Sequence, residues 1–234
     1  MNRLIVVTGG TKGIGLAIMR KFAGQGFDII TCSRNQEELD QVANQTSAEF
    51  GVEVFARKAD LSVKAEVQDF VDFIHSLDRP VDVLVNNTGV FLPGKLYSEE
   101  EGSLETMINT NLYSAYNLTR GLVKEMMAKK EGYIFNMCSI ASLAPYPEGS
   151  SYSVSKFALL GFSRSLREEM KEFGIRVSSV LPGAVLTPSW DGVEIPPEKF
   201  IKPEDIAESI YGAYALSDRT VVEEILIRPQ LGDF

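Results

Sequence analysis

The chain has 234 residues, 44% of them hydrophobic and 24% charged, with a formal net charge of −9 and a pI near 4.8. That composition supplies core material for one soluble domain, and the acidic balance argues against nucleic acid or an anionic membrane as the main partner. Two cysteines, Cys32 and Cys138, supply neither a disulfide framework nor a metal-ligand cluster, which suits a reducing cytoplasm and predicts no metal.

The opening apolar run is too short for a signal-peptide core or a membrane span. It reads instead as a first strand, Leu4–Thr8, running into Thr8-Gly9-Gly10-Thr11-Lys12-Gly13-Ile14-Gly15 and a helix over Ile14–Gly24. Further strands are expected at Asp28–Cys32, Val52–Lys58, Val81–Asn86, Gly132–Cys138, Arg176–Leu181 and Val222–Ile227. Helical patterns fill the gaps at Gln36–Phe50, Lys64–Leu77, Glu99–Lys129, Tyr152–Phe173 and Pro203–Leu216. Most strands are rich in Val, Ile and Phe without strict alternation, as strands buried on both faces are. Strand and helix in alternation imply a parallel sheet covered on both sides, an α/β doubly wound architecture. No linker, repeat or low-complexity tract divides the chain, so residues 1–234 read as one domain. The stretch about 187–202 is irregular, with several prolines and the only tryptophan, Trp190; it is a ligand lid or a plain surface loop.

Three local patterns carry chemistry. Gly9, Gly13 and Gly15 lie between a strand and a helix, where glycine permits positive φ and close approach of a ligand to the backbone. The helix that follows offers free N–H groups and a positive dipole end to a pyrophosphate, although a tight turn without ligand would look the same. Tyr152 and Lys156 are four residues apart, one above the other on a helix, where an ammonium can favour the phenolate and make Tyr a proton donor to a carbonyl. Asn111 sits inside a helical stretch that Asn does not favour.

In order and spacing, Thr8–Gly15, Asn86-Asn87-Thr88-Gly89, Asn111, Ser139, Tyr152, Lys156 and Pro182-Gly183 with Thr187 resemble the short-chain dehydrogenase/reductase family. Thr88 departs slightly from that pattern, which more often has Ala there. The resemblance implies a Rossmann-type sheet in the order 3-2-1-4-5-6-7 and a bound NAD(H) or NADP(H). It also implies that Tyr152 is the proton donor, that Lys156 supports it and binds the nicotinamide ribose, and that Ser139 holds the substrate oxygen. Asn111 would bend its helix and hold a water linked to Lys156.

For the cofactor, the resemblance points to Gly9, Thr11, Lys12, Gly13, Ile14 and Gly15 at the pyrophosphate turn and to Asp60, Leu61, Asn87 and Gly89 at the adenosine side. Asp60 could equally cap the next helix. Pro182, Gly183, Val185 and Thr187 would hold the carboxamide. The second strand ends in Ser33-Arg34 with no acid for ribose hydroxyls; Arg34 and Lys12 can instead grip a 2′-phosphate, which favours NADP(H).

The expected function is an NADPH-dependent carbonyl reductase acting on a small molecule, cytoplasmic, and assembled as a homodimer or homotetramer through apolar positions such as Leu112, Tyr116, Phe157, Leu160 and Phe162. The short tail is loosely similar to sepiapterin-reductase-like members. Alternatives are a 3-oxoacyl-carrier-protein reductase, an NAD-linked dehydrogenase, and a catalytically silent NADP(H)-binding regulator. His75, Cys138 and the run Glu99-Glu100-Glu101 read as structural or surface features, the last as the solvated start of a helix.

Overall fold

The computed structural model describes residues 2–190, 192 and 194–232. Seven strands form one parallel sheet: β1 Leu4–Thr8, β2 Asp28–Ser33, β3 Val54–Lys58, β4 Val83–Asn86, β5 Gly132–Met137, β6 Ile175–Pro182 and β7 Glu224–Ile227. Their order is β3-β2-β1-β4-β5-β6-β7, as expected. The strand order reverses between β1 and β4, the switch point where ligands of doubly wound sheets bind. Helices α1 Gly13–Ala23, α2 Gln36–Phe50, α3 Lys64–Ser76, α4 Ser103–Ile108, α5 Ser114–Lys129, α6 Ser150–Met170 and α7 Pro203–Tyr214 cover the two faces.

The absence of strict alternation in the strands has a direct cause. Successive residues of β1 feed opposite layers. Ile5 and Val7 join Ile18, Phe22, Ile206 and Ile210 beneath α1 and α7. Leu4 and Val6 join Phe70, Leu118, Leu122 and Ile134 beneath α3 and α5. Both layers are fully buried, so both sides of the strand must be apolar.

Two regions differ from the sequence expectation. The single helix expected over Glu99–Lys129 is three pieces: α4, a π-helical turn at Asn109–Tyr113, and α5. Gly102, at φ 86°, starts α4 only at Ser103, which leaves Glu99 outside the helix. Glu99 is not solvated at its carboxylate: Ser151 Oγ donates to Oε1, and Oε2 is buried without a hydrogen-bond partner. The second region is the layer between sheet and α5/α6. There Asn86 donates to Thr119 (3.0 Å) and Asn136 (2.8 Å), Asn136 to Ser163 (3.0 Å), and Ser179 to Ser163 (2.8 Å). This buried polar chain locks β4, β5, β6, α5 and α6 into one register, since each group costs free energy if left unpaired.

No helix among the described residues is long and apolar enough to cross a membrane, and none of their His, Cys, Asp and Glu side chains group as a metal site.

Candidate active site

The glycine turn is built by sterics. Gly9 (φ +67°) and Gly13 (φ +56°) occupy the left-handed region. A Cβ on Gly15 would stand 2.2 Å from the Gly9 carbonyl oxygen, so the start of α1 presses directly on the turn. Gly10 is equally constrained, its Cβ direction filled by Met19 Sδ at 2.1 Å and Thr31 Oγ1 at 2.3 Å. The sequence reading assigned Gly10 no role.

Asn87 ties this turn to the end of β4. Its Nδ2 donates to Thr8 O (2.8 Å) and Gly9 O (3.2 Å), while Thr8 Oγ1 accepts from the N–H groups of Asn87 and Thr88, both at 2.9 Å. The Pro182–Thr187 segment closes over the turn from the other side. Thr187 Cγ2 lies 3.1 Å from where a Gly13 Cβ would be. Two of the expected cofactor segments, distant in sequence, are thereby in van der Waals contact.

Val185 is buried in the core by its side chain. Its neighbours bond Ile201, with Ile201 N donating to Ala184 O and Leu186 N to Ile201 O, both at 2.9 Å. In this parallel pattern the N–H and C=O of Val185 itself point the other way. Leu61 is likewise a core residue, so any ligand contact it makes runs through its backbone. The base of the 187–202 loop is thus anchored; Asp191 and Val193 within that loop lie outside the described residues.

At the end of β2, Asn35 caps α2, accepting from Glu37 N (3.0 Å) and Glu38 N (3.4 Å). This cap fixes the bend that exposes Arg34. Arg34 and Lys12 are both exposed, and neither makes an ion pair among the described residues. Ser33 Oγ sits within 3.3 Å of the Asn35 backbone. Asp60 Oδ1 accepts from Ser62 N (3.0 Å) and Ser62 Oγ (2.7 Å). It shapes the turn before α3 without capping that helix, whose N-cap is Val63.

The catalytic candidates converge at the carboxyl ends of β4 and β5. Lys156 is 5% exposed and its Nζ donates to Met137 O at 2.8 Å. The same Nζ lies 5.7 Å from the centre of the Tyr152 ring. Gly89 borders this group: a Cβ there would be 3.3 Å from Asn111 Oδ1 and 3.5 Å from Lys156 Nζ.

Asn111 is buried in the π-turn. Its Oδ1 accepts from Val90 N (2.7 Å), and its Nδ2 donates to Val90 O (3.0 Å) and Ser155 Oγ (2.9 Å). Ser155 in turn donates to Tyr152 O at 2.7 Å. A π-helical turn stands where the resemblance implied a bend at Asn111; both Nδ2 hydrogens are committed to Val90 O and Ser155 Oγ, which leaves a lone pair of Oδ1 and the main chain to engage a water.

Ser139 caps the short turn Ile140–Ser142, accepting from Ala141 N at 3.1 Å while its own N–H donates to Ser142 Oγ at 3.2 Å. Capping uses only a lone pair of Ser139 Oγ, so its proton is free to donate elsewhere. Next to it Cys138 is buried, and desolvation pushes its thiol up to about 11, leaving it neutral and inert. His75 faces Glu125 at 3.3 Å on the surface, as expected of a structural residue.

Residues 3–195 match the family model for short chain dehydrogenase. The chain belongs to the short-chain dehydrogenase family. It is 34% identical over 241 residues to a sepiapterin reductase from Chlorobaculum tepidum, covering all of this chain and 98% of that one. An alcohol dehydrogenase from the archaeon Thermococcus sibiricus, solved with 5-hydroxy-NADP, superposes with a TM-score of 0.92 at 28% identity over 98% of this chain and 97% of that one. A metagenomic short-chain oxidoreductase in complex with NADP gives 0.85 at 32% identity over 97% of both chains. The expected family, sheet order and oxidoreductase class are therefore all met. The residues fit a dinucleotide on this structure's own terms. The turn has no room for a side chain at Gly10 or Gly15, Val185 offers backbone groups, and one exposed cation, Arg34, follows the strand that meets the ribose in this fold while a second, Lys12, stands in the glycine turn.

Proposed function

We propose that this short-chain dehydrogenase is an NADPH-dependent carbonyl reductase acting on a small ketone or aldehyde. The observation that carries the reading is the Lys156 ammonium, buried on the Met137 carbonyl beneath the Tyr152 ring, two residues before Ser139 on the same stretch of chain. Bound reduced nicotinamide would supply the hydride.

The protein's own residues supply the rest. Ser139 Oγ donates to the substrate oxygen and holds it as negative charge develops. Tyr152 delivers the proton to that oxygen, and Lys156 stabilises the charge left on the phenol oxygen. Asn111 keeps Tyr152 in place through Ser155 and holds Val90 at the edge of the site. Gly89, lacking a side chain, leaves the space beside Lys156 open for a ribose. Arg34 and Lys12, without an ion pair among the described residues, would neutralise a 2′-phosphate.

A carrier-bound acyl substrate is less well supported, since only Lys95, Lys199 and Lys202 lie near the lid in sequence to receive an acidic carrier, and Lys95 faces Glu148 at 3.8 Å. Steady-state rates with NADPH against ketones, diketones, pterins and acetoacetyl thioesters test the reading, with NADH as the control. Turnover confined to thioesters, or equal affinity for the two cofactors, would overturn it.

We propose assembly as a homodimer or homotetramer through the outer face of α5 and α6. Tyr113, Tyr116 and Phe157 are 50%, 38% and 45% exposed there, and Phe162 packs its ring on Tyr116 at 5.5 Å. Leu160, expected on the same face, is buried toward Leu181 and takes no part. A face of that kind suits a symmetric contact; a monomeric mass by light scattering would refute it.

A further inference from the structure

Three aromatic rings meet at the candidate proton donor. Phe91 stands edge-on to Tyr152, centroids 5.0 Å apart and planes at 76°. Tyr146 touches both, at 6.1 Å from Phe91 and 6.5 Å from Tyr152. Phe91 and Tyr146 come from two loops, one after β4 and one before α6.

Those loops are fastened to each other. Gly94 N donates to Glu148 O at 2.8 Å in a parallel bridge between Gly94 and Gly149, and Ser151 bonds Glu99 behind them. The Tyr146 ring is held by the lack of a side chain at Gly149. A Cβ there would lie 2.8 Å from ring atom Cζ, so the ring rests against the start of α6.

Despite this fastening, Phe91 and Tyr146 are each 39% exposed, and Leu143 on the same loop is 41% exposed. Burial, with Tyr152 adding to it, raises the Tyr146 phenol above its ordinary range, so it stays neutral. The result is an uncharged, partly uncovered aromatic wall beside the Tyr152 ring, its two loops fastened to each other. These side chains are not scattered singly but grouped beside Tyr152, an uncovered apolar patch of the kind on which a ligand packs.

We propose that this wall selects carbonyl compounds bearing a flat conjugated ring on the carbonyl carbon, the ring packing on Phe91 and Tyr146 while the oxygen reaches Tyr152 and Ser139. This rests on the reductase reading above. A hydride adds to the carbonyl carbon, the C=O π bond breaks, and the Tyr152 proton goes to the oxygen, giving the secondary alcohol and oxidised cofactor. Offset or edge-to-face ring packing adds to plain area burial and favours a flat ring over a saturated one by roughly two- to tenfold per contact.

The test compares acetophenone with cyclohexyl methyl ketone, which have the same carbon skeleton but differ in whether the ring is flat. Two readouts are needed: kcat/KM with NADPH, and equilibrium binding of each ketone to the NADP+-loaded protein. The flat ketone is expected to lead by roughly three- to tenfold in binding, while kcat/KM, which also carries the lower intrinsic reactivity of a conjugated carbonyl, is compared between wild type and variants. Phe91→Leu and, independently, Tyr146→Leu should bring the binding ratio toward one and lower the kcat/KM ratio in step, whereas Tyr152→Phe should keep the binding ratio after turnover has gone. Equal treatment of the two ketones by the wild type, or a ratio that neither Leu variant moves, overturns the inference while leaving the reductase reading intact. Preferential binding of acetophenone with no turnover of any ketone overturns the reductase reading and leaves the wall as a ring-binding site.

Discussion

β2 carries two very different charges, one at each end. At its start Asp28 is buried and fully engaged: Arg79 Nη2 donates to it at 2.6 Å, Glu53 N at 2.9 Å and Asn2 Nδ2 at 3.1 Å. Just past its end Arg34 is exposed and makes no ion pair among the described residues. The same contrast holds across the sheet. At the amino edge Asp82 accepts from Leu4 N (2.7 Å) and pairs with Lys129 (2.6 Å). At the carboxyl edge Lys12 has no ion pair among the described residues, and Lys156 is held only by a carbonyl. Charges neutralised within the chain stabilise the fold; charges left over at the strand ends are available to a ligand. The two edges should therefore respond to mutation in different ways.

The sharpest separation is expected from Tyr152→Phe. The hydroxyl is lost and the ring remains, so the fold should survive while kcat falls by roughly 10²–10⁴. Near wild-type turnover in a folded variant would remove Tyr152 from the mechanism.

The amino-edge counterpart is Arg79→Met, which strands a buried carboxylate and should cost about 3–5 kcal/mol in urea unfolding. Burial alone would raise the Asp28 pKa, but Arg79 and the N–H donors outweigh it and hold it below its ordinary value. That contribution is full above the unfolded value near 4 and is lost as pH falls through the lower folded one. The wild type should thus weaken in acid below about pH 4. In Arg79→Met the Asp28 pKa should move up, since burial then opposes only the Glu53 and Asn2 donors, and part of the deficit should return on mild acidification. A deficit that does not change with pH would show that the lost packing of Arg79 on Phe55, rather than the pair, was responsible.

At the carboxyl edge, Arg34→Ala should leave unfolding unchanged and weaken NADPH binding by roughly ten- to a hundredfold, the worth of a charge-assisted contact of about 1.5–3 kcal/mol, with NADH barely affected. Equal losses for both cofactors in titration would place Arg34 away from the 2′-phosphate.

The smallest effect is a gain. Lys130 ends α5 in the left-handed region, φ 56°, at an amino-edge position. Lys130→Gly should relieve that strain and raise stability by about 1 kcal/mol with unchanged kcat. A lower melting temperature would mean the Lys130 side chain does more than bear the strain.

What could be read in the sequence follows the same physics. Strand positions and the glycine turn were legible because burial on both faces and tight turns leave local marks, as in Ile5–Val7 and Gly13, whereas the sheet order came from the family resemblance alone. Tyr152 and Lys156 were legible because a helix fixes their spacing. The Asn109–Tyr113 turn was not, since one extra residue in a helix leaves the apolar pattern on either side intact. Glu99 was read as a surface acid because its bond to Ser151 spans 52 residues. The contact of Phe91 with Tyr146 and the chain from Asn86 to Ser179 are of the same kind. They arise only when loops from different strands end side by side, and no local pattern announces that.

The π-turn has one more consequence. Each helical residue advances the chain by about 100° around the axis. By accommodating one residue too many, the Asn109–Tyr113 turn acts as a phase shifter. It lets Asn111 point at Val90 and Ser155 while Leu118 and Leu122 further along still face the sheet. Excising one residue there would yield a smoother, more regular helix and a worse protein, because the upstream and downstream halves could no longer both be in phase with what they touch.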